Sequence, residues 1–348
     1  MLRYIKPSEL REYSGFPIID VRTPAEYLFG HIPGASNIPL FSEAEREKVG
    51  IRYHDSGRDS AFLLGIEIVG PKMADYIKKL NKLTSSHNPI VIYCWRGGMR
   101  SESMGWLFEK SGHDTYVIEG GYKAFRSHIR TEISEGYEFV VIGGMTGAGK
   151  TEVIKNLCNA GAQTIDLEDL ANHKGSVYGH MGQDGQPTNE NFENMLWGLL
   201  QQFDPKEEIY IEDESRSIGK VALPEQLYLK MSKSKLMMLD VDIDIRADRL
   251  VRGYGVFDKE MLIENTNKLE KYLGGENHKK VVEAIDSGNL KDAAMILLRY
   301  YDKKYRESLM QRSQITIIPG CCGNSRQNAM RILQHSKKNI VNNGTGLS

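Results

Sequence analysis

The sequence predicts an α/β protein of two successive domains, and three observations carry that prediction. Short, uninterrupted apolar runs recur along the chain and end in turns or charges, as strands buried on both faces of a parallel sheet do. Helical patterns separate these runs, and strand–helix alternation is the mark of α/β architecture. Finally, 348 residues exceed what one ordinary core supports, so two domains are expected.

The first domain is assigned to residues 1–130, with strands at 17–20, 89–94 and 115–118 and helices at 71–83 and 103–111. The second is assigned to residues 131–348. It opens on a strand at 137–142 and continues with strands near 209–211, 235–241 and 314–318. Helices are expected at 191–202, 259–273 and 289–308. The boundary falls between Ser127 and Glu138, a stretch poor in Gly and Pro where a connecting helix serves as well as a linker. The polar tail, residues 337–348, is expected to fray, and no internal repeat is present.

Composition narrows the function classes. The chain is 40% hydrophobic and 26% charged, with a formal net charge of -1. No global basic excess announces a nucleic-acid partner, although a local patch can still bind RNA. The four cysteines, Cys94, Cys158, Cys321 and Cys322, form no CxxC pair, so neither a zinc knuckle nor a disulfide framework is suggested. Cys158 falls in a helical stretch and is expected in the core; Cys321 and Cys322 are taken as incidental. The N-terminus lacks an apolar signal region and no run of about eighteen apolar residues occurs. The expectation is a cytoplasmic protein with no membrane contact and free thiols.

Cys94 ends one of the apolar runs and opens the segment Cys94-Trp95-Arg96-Gly97-Gly98-Met99-Arg100-Ser101. A cysteine between a strand and a helix N-terminus sits among converging N–H donors, which favour the nucleophilic thiolate. The same donors bind anions, Gly97 and Gly98 let the backbone curl, and Arg96 and Arg100 add charge-assisted donors. Upstream, Asp20-Val21-Arg22-Thr23-Pro24-Ala25-Glu26-Tyr27 is followed by Gly30-His31-Ile32-Pro33-Gly34-Ala35-Ser36-Asn37-Ile38-Pro39. Thr23-Pro24 starts a helix with Glu26 at the reciprocal capping position. Asp20 and Arg22 are expected to pair, and His31 to be a turn residue. Together these segments closely resemble the rhodanese family signature. The Cys94–Arg100 loop is Cys-x5-Arg, one residue longer than in many sulfurtransferases of that family and shared with phosphatases of the same fold. The longer loop implies a pocket suited to a tetrahedral phosphate derivative.

The second domain carries Gly144-Met145-Thr146-Gly147-Ala148-Gly149-Lys150-Thr151, a full GxxxxGK[ST] match between a strand and a helical stretch. Backbone N–H groups of Gly144, Gly147, Ala148 and Gly149 would cradle a diphosphate, with Lys150 as a point charge and Thr151 able to hold magnesium. A later strand ends in Glu212-Asp213-Glu214-Ser215-Arg216, an acidic strand end with Glu212 and Asp213 as candidates. Which carboxylate acts stays open, and no metal-ligand set is assigned. No Asn-Lys-x-Asp motif for guanine is present. Arg246, Arg249 and Arg252 at helical spacing, and Lys303-Lys304-Tyr305-Arg306, are candidate phosphate contacts for RNA.

A rhodanese-like parallel-sheet domain followed by a P-loop NTPase-like α/β domain resembles the tRNA 2-selenouridine synthase family, up to about Leu333. Besides the motifs above, Asp166–Ser176, Ile211–Gly219 and Arg299-Tyr300-Tyr301-Asp302 are similar to it. The resemblance implies a tRNA-modifying enzyme acting on wobble 2-thiouridine. Geranyl diphosphate would S-geranylate the base, and selenium from selenophosphate would then replace the geranylthio group. Cys94 would carry selenium as a selenyl-sulfide, residues 95–100 would bind selenophosphate, and the P-loop would hold the prenyl diphosphate. No tightly bound cofactor is expected, and magnesium is left open. Trp95 could stack on a base. His173 lies in a polar stretch without an assigned role. Two other readings stay open: a sulfurtransferase coupled to an ATP-binding domain, and a phosphatase of the same fold.

Overall fold

The computed structural model describes residues 2–85, 87–310, 312–320 and 324–344. The chain forms two compact units, Met1–Ile133 with Glu190–Gln202, and Ser134–Asn189 with Phe203–Ser348.

The first unit contains β1 (Arg3–Ile5), β2 (Ile18–Asp20), α1 (Pro24–Phe29), β3 (Ser36–Asn37), α2 (Glu43–Val69), α3 (Met73–Leu83), β4 (Ile90–Tyr93), α4 (Met99–Lys110), β5 (Thr115–Ile118) and α5 (Gly121–Glu132). Its sheet is parallel in the order β1-β5-β4-β2-β3. All four residues of β4 are buried, as a central parallel strand requires. Ile19, Leu80, Ile92, Phe108 and Val117 form the core around it. The expected α/β class with a parallel sheet is therefore found. Pro24 at the start of α1 and the reciprocal Thr23–Glu26 capping bonds are also present. Asp20 and Arg22 form a buried ion pair with Nη2–Oδ2 at 2.6 Å, and Arg22 stacks 3.8 Å from the Tyr122 ring. His31 bonds the Tyr27 carbonyl and stacks on the Tyr27 ring, the turn role expected of it. Helix α2 was not foreseen, because its apolar stripe is weak and Gly57 (φ 78°) breaks it in the left-handed region that suits glycine.

The second unit contains β6 (Glu138–Gly144), α6 (Lys150–Asn159), β7 (Gln163–Ile165), α7 (Leu167–Leu170), β8 (Glu208–Glu212), β9 (Ser217–Ile218), β10 (Val221–Ala222), α9 (Glu225–Lys233), β11 (Lys235–Asp240), α10 (Ile243–Tyr254), α11 (Lys259–Asn267), α12 (Glu270–Leu273), α13 (Gly275–Asp286), α14 (Leu290–Leu309), β12 (Ile315–Pro319) and α15 (Ser325–Gly344). α8 (Asn189–Leu200) falls between α7 and β8 in sequence. The main sheet is parallel, ordered β12-β11-β6-β8-β7. A second apolar cluster joins α11 to α14 through Leu262, Leu273, Val281, Ile285 and Leu297.

Several expectations are corrected. α8 belongs almost wholly to the first unit, so a single cut at 130/131 does not describe the division. Its buried Asn194 donates to the His31 carbonyl at 2.8 Å and the Tyr122 hydroxyl at 2.7 Å, and accepts from Arg126 at 2.6 Å. A helical period reveals that the segment is amphipathic but not which sheet it covers. The expected helix 259–273 is two helices. The Thr266 hydroxyl bonds the Leu262 carbonyl, and Leu269 N–H takes the Thr266 carbonyl in an i+3 turn that ends α11. Cys158 is exposed rather than in the core, because α6 buries Val153, Ile154 and Leu157 on its other face. The backbone of α15 continues helically to Gly344, beyond the point where fraying was expected. Cys321 and Cys322 lie outside the described residues. Among the described residues no helix is long and apolar enough to cross a membrane.

Candidate functional site

Each unit presents a loop between a strand and a helix N-terminus. In the first, the loop runs from β4 to α4 and Cys94 is 3% exposed. Its Sγ lies 3.2 Å from the Ser101 hydroxyl, which donates to it or to the Gly98 carbonyl at 3.1 Å. Helix α4 begins four residues before the expected start, so Ser101 sits in its first turn and faces the sulfur. The start of α5 braces the loop from behind. Tyr122 and Lys123 N–H groups bond the Cys94 and Trp95 carbonyls at 2.9 and 3.0 Å. This approach demands glycine. A Cβ on Gly121 would lie 2.3 Å from the Cys94 carbonyl oxygen, and one on Gly97 would lie 2.6 Å from the Ile118 carbonyl oxygen. Arg96 is exposed, Met99 is 47% exposed, and Trp95 is half-buried against Tyr122. Arg100 is engaged with the capping residue Glu26, Nη1–Oε2 2.9 Å, which ties the loop to α1 and holds the Glu26 carboxyl below its ordinary range despite burial. Ser101 was not singled out from sequence; a hydroxyl seven residues after the cysteine was its only signal.

In the second unit the loop runs from β6 to α6. Gly147 (φ 78°) and Gly149 (φ 84°) occupy the left-handed region. A Cβ on Gly147 would lie 2.9 Å from the Arg246 carbonyl oxygen. Lys150 and Thr151 open α6 and meet a set of buried carboxylates. Lys150 Nζ lies 3.9 Å from Glu214 Oε1. The Thr151 hydroxyl lies 3.0 Å from Glu212 Oε1 and 3.2 Å from Glu168 Oε2. One oxygen each from Glu168, Glu212 and Glu214 falls within 4.8 Å of the others. Clustered carboxylate oxygens beside a phosphate-loop threonine are hard donors, so the set fits a divalent cation such as magnesium.

Of the two acidic candidates, only Glu212 turns to the loop. Asp213 instead accepts from Tyr305 at 2.7 Å and pairs with Arg312, while the Tyr305 hydroxyl accepts from Gly144 N–H at 3.0 Å. Glu168 and Glu214 were the missed members, although both lie in segments that resemble the family. The basic candidates also move. Arg246 is buried and bidentate to Asp302, both bonds 2.8 Å, and Arg249 donates to the Gly147 carbonyl at 2.6 Å. These two brace the phosphate loop from inside the fold, so of the three arginines only Arg252 keeps an exposed helix face. Asp302→Ala should leave the Arg246 charge buried and unpaired, at a cost of about 3–5 kcal/mol. Denaturant unfolding checks this, and a loss below about 1 kcal/mol would mean the pair braces nothing. His173 is buried beside Gly179 and Gly219, and burial lowers its pKa.

The carboxylates repel one another in a dry setting. Burial, aided by Glu168, pushes Glu212 up to about 8. Burial raises Glu168 to about 7, with Glu214 adding to it, and raises Glu214 to about 7. Burial alone would lower Lys150, but Glu214, Glu212 and Glu168 outweigh it and raise it. The folded state therefore holds more protons than the unfolded chain between about pH 4.5 and 8, and stability falls as pH rises through that window. Glu212→Gln should flatten this fall. Melting temperatures should match wild type near pH 5 and exceed it near pH 8.5 by roughly 2–4 °C per kcal/mol recovered. Parallel pH profiles for the two proteins would contradict it.

Comparison with known proteins agrees with this geometry. Residues 137–339 match the model of the tRNA 2-selenouridine synthase AAA domain, and residues 6–128 match the rhodanese-like domain. The tRNA 2-selenouridine synthase of Bordetella petrii is 33% identical over 87% of this chain and 90% of that protein. That of Shewanella frigidimarina is 35% identical over 87% of this chain and 91% of its own length. The Marinobacter nauticus protein of the same name is 34% identical, again over 87% and 91%. With a rhodanese loop in one unit, a phosphate loop in the other and full-length relatives of one name, the chain belongs to the tRNA 2-selenouridine synthase family.

Proposed function

We propose that the chain replaces the sulfur of wobble 2-thiouridine in tRNA with selenium in two steps. In the first, the thiocarbonyl sulfur attacks C1 of geranyl diphosphate, the carbon–oxygen bond breaks, diphosphate leaves and the base loses its N3 proton. In the second, selenium supplied by selenophosphate takes the place of the geranylthio group at C2. Water, selenophosphate and the S-geranyl nucleoside give phosphate, geranylthiol and 2-selenouridine, with no net oxidation. Cys94 is the nucleophile of this step: its thiolate displaces geranylthiol from C2, the selenium of selenophosphate displaces the thiolate in turn, and water takes up the phosphoryl group as phosphate. Residues 95–98 supply N–H donors for the anionic selenium donor.

The observation that favours a prenyl over a nucleoside diphosphate is the mostly apolar lining of a small cavity, about 70 Å³, that includes Thr146 of the phosphate loop and has room for the first carbons of a chain rather than the whole of it. Its lining includes Leu250, Val251, Leu262, Ile285 and Leu297, which offer a hydrocarbon contact, while of the hydroxyl groups there, on Ser176, Tyr178, Tyr254 and Tyr301, that of Tyr178 is already bonded to Thr266. Lys150 and the loop N–H groups stabilise the departing diphosphate. Glu168, Glu212 and Glu214, beside Thr151, would hold magnesium, which would offset diphosphate charge.

The test supplies tRNA bearing 2-thiouridine, geranyl diphosphate and selenophosphate, followed by digestion and mass spectrometry of the nucleosides. S-geranyl-2-thiouridine should appear without selenophosphate and 2-selenouridine with it. Unchanged nucleosides alongside ATP or phosphate-ester turnover would overturn the reading in favour of a sulfurtransferase or phosphatase.

A further inference from the structure

Helix α2 is poorly covered for its length: of its 27 residues only Ala61 is buried. Beyond the break at Gly57 part of its apolar set keeps a helical period. Ala61, Phe62, Gly65, Ile66 and Val69, at i, i+1, i+4, i+5 and i+8, all line one groove of about 870 Å³. The facing wall comes from α4 through Met99, Met104 and Trp106. Phe62, Ile66, Trp106 and Met99 remain 52%, 51%, 51% and 47% exposed. A contiguous apolar patch of this kind marks a binding surface, and the groove lies within the roughly 300–1,000 Å³ of small-molecule sites.

Two features say what fits. The groove is lined by the start of α4: Met99 and Arg100, the first residues after Gly98, line it, and Leu40, Phe41, Met104 and Leu107 of its wall share a core cluster with Cys94. Its wall also includes the exposed arginines Arg46 and Arg58. The acidic residue of the wall, Glu102, accepts from the Tyr4 hydroxyl at 3.3 Å. An apolar trough with cationic side chains, walled by the helix that the cysteine loop opens, matches a hydrocarbon chain attached to a polyanion. A plain anion would leave the trough's aliphatic wall unused.

We propose that this groove receives the hydrocarbon chain of the S-prenylated wobble nucleotide while that nucleotide is presented to Cys94. The proposal rests on the two-step reading above. It assigns the first unit its own prenyl-chain site, separate from the diphosphate site of the second unit.

The experiment bypasses prenylation. Synthetic tRNA bearing S-geranyl-2-thiouridine or S-methyl-2-thiouridine is given with selenophosphate to wild type, to Phe62→Ser/Ile66→Ser and to Phe62→Leu/Ile66→Leu, and kcat/KM for 2-selenouridine formation is read. Wild type should favour the geranyl substrate at least tenfold. The serine variant should lose at least tenfold on that substrate while staying within twofold on the methyl one, and the leucine variant should recover most of the loss. Geranylation of 2-thiouridine tRNA should be unchanged in both variants, which also reports folding. Equal wild-type rates on the two substrates, or equal losses on both in the serine variant, would overturn the groove assignment and leave the two-step reading standing. No selenation of either substrate by wild type would overturn both.

Discussion

Cys94→Ala should abolish selenium incorporation, by at least about a thousandfold, while S-alkylation of the base continues and the geranylated nucleoside accumulates. The side chain is nearly buried, its sulfur faces Ser101, and the backbone around it is held by α5 and by glycines that admit no Cβ. Removing one sulfur from this packed cluster costs on the order of 1 kcal/mol, so the variant should remain folded. The readout is the ratio of geranylated to selenated nucleoside, with a melting curve alongside. Persistence of 2-selenouridine in the variant would remove Cys94 from the mechanism. Joint loss of both products in a folded variant would mean that the two reactions are not separable by residue.

Lys150→Ala should give the mirror result. Alkylation should fall by about 10²–10³-fold, mainly in kcat, because the ammonium group acts on charge that develops as diphosphate departs. Selenation of tRNA supplied already geranylated should continue near the wild-type rate. The loss has a second source. Lys150 is the cation beside Glu214, Glu212 and Glu168, and without it those carboxyls hold their protons to still higher pH. The variant should therefore recover more geranylation when assayed at higher pH than wild type needs. A change confined to KM for geranyl diphosphate, with kcat intact, would reduce Lys150 to a binding residue.

Much of this was readable from local chemistry. The two loops, their strand–loop–helix settings and the capping of α1 depend on residues adjacent in sequence, whose backbone demands are met by Gly, Pro, Thr and Glu at fixed offsets. The strands came through because β2, β4, β5, β6, β8 and β11 are short runs of residues buried on both faces, a pattern that needs no knowledge of the partner strand. β1 and α2, without such a pattern, did not, whereas β12 came through on its apolar run although only Ile318 of it is buried. β1 has three residues with one buried, and α2 has one buried residue in 27.

What only the tertiary structure decided is which distant side chains meet. Arg246 and Arg249 share a helix face that reads as solvated, yet they close on the phosphate loop because Asp302, 56 residues later, neutralises Arg246 in the interior. Asp213 and Glu212 are neighbours in sequence, but successive residues at a strand end point opposite ways. One therefore meets Thr151 and the other Tyr305 and Arg312. Asn194 looks like a polar residue on an amphipathic helix until its amide is found spanning Arg126, His31 and Tyr122. The motifs determined the chemistry of each loop because close-range backbone geometry is written in consecutive residues. The charge balance, the carboxylate set and the groove lined by α2 and α4 were decided by packing, because burial and Coulomb interactions depend on distance in space rather than on separation along the chain.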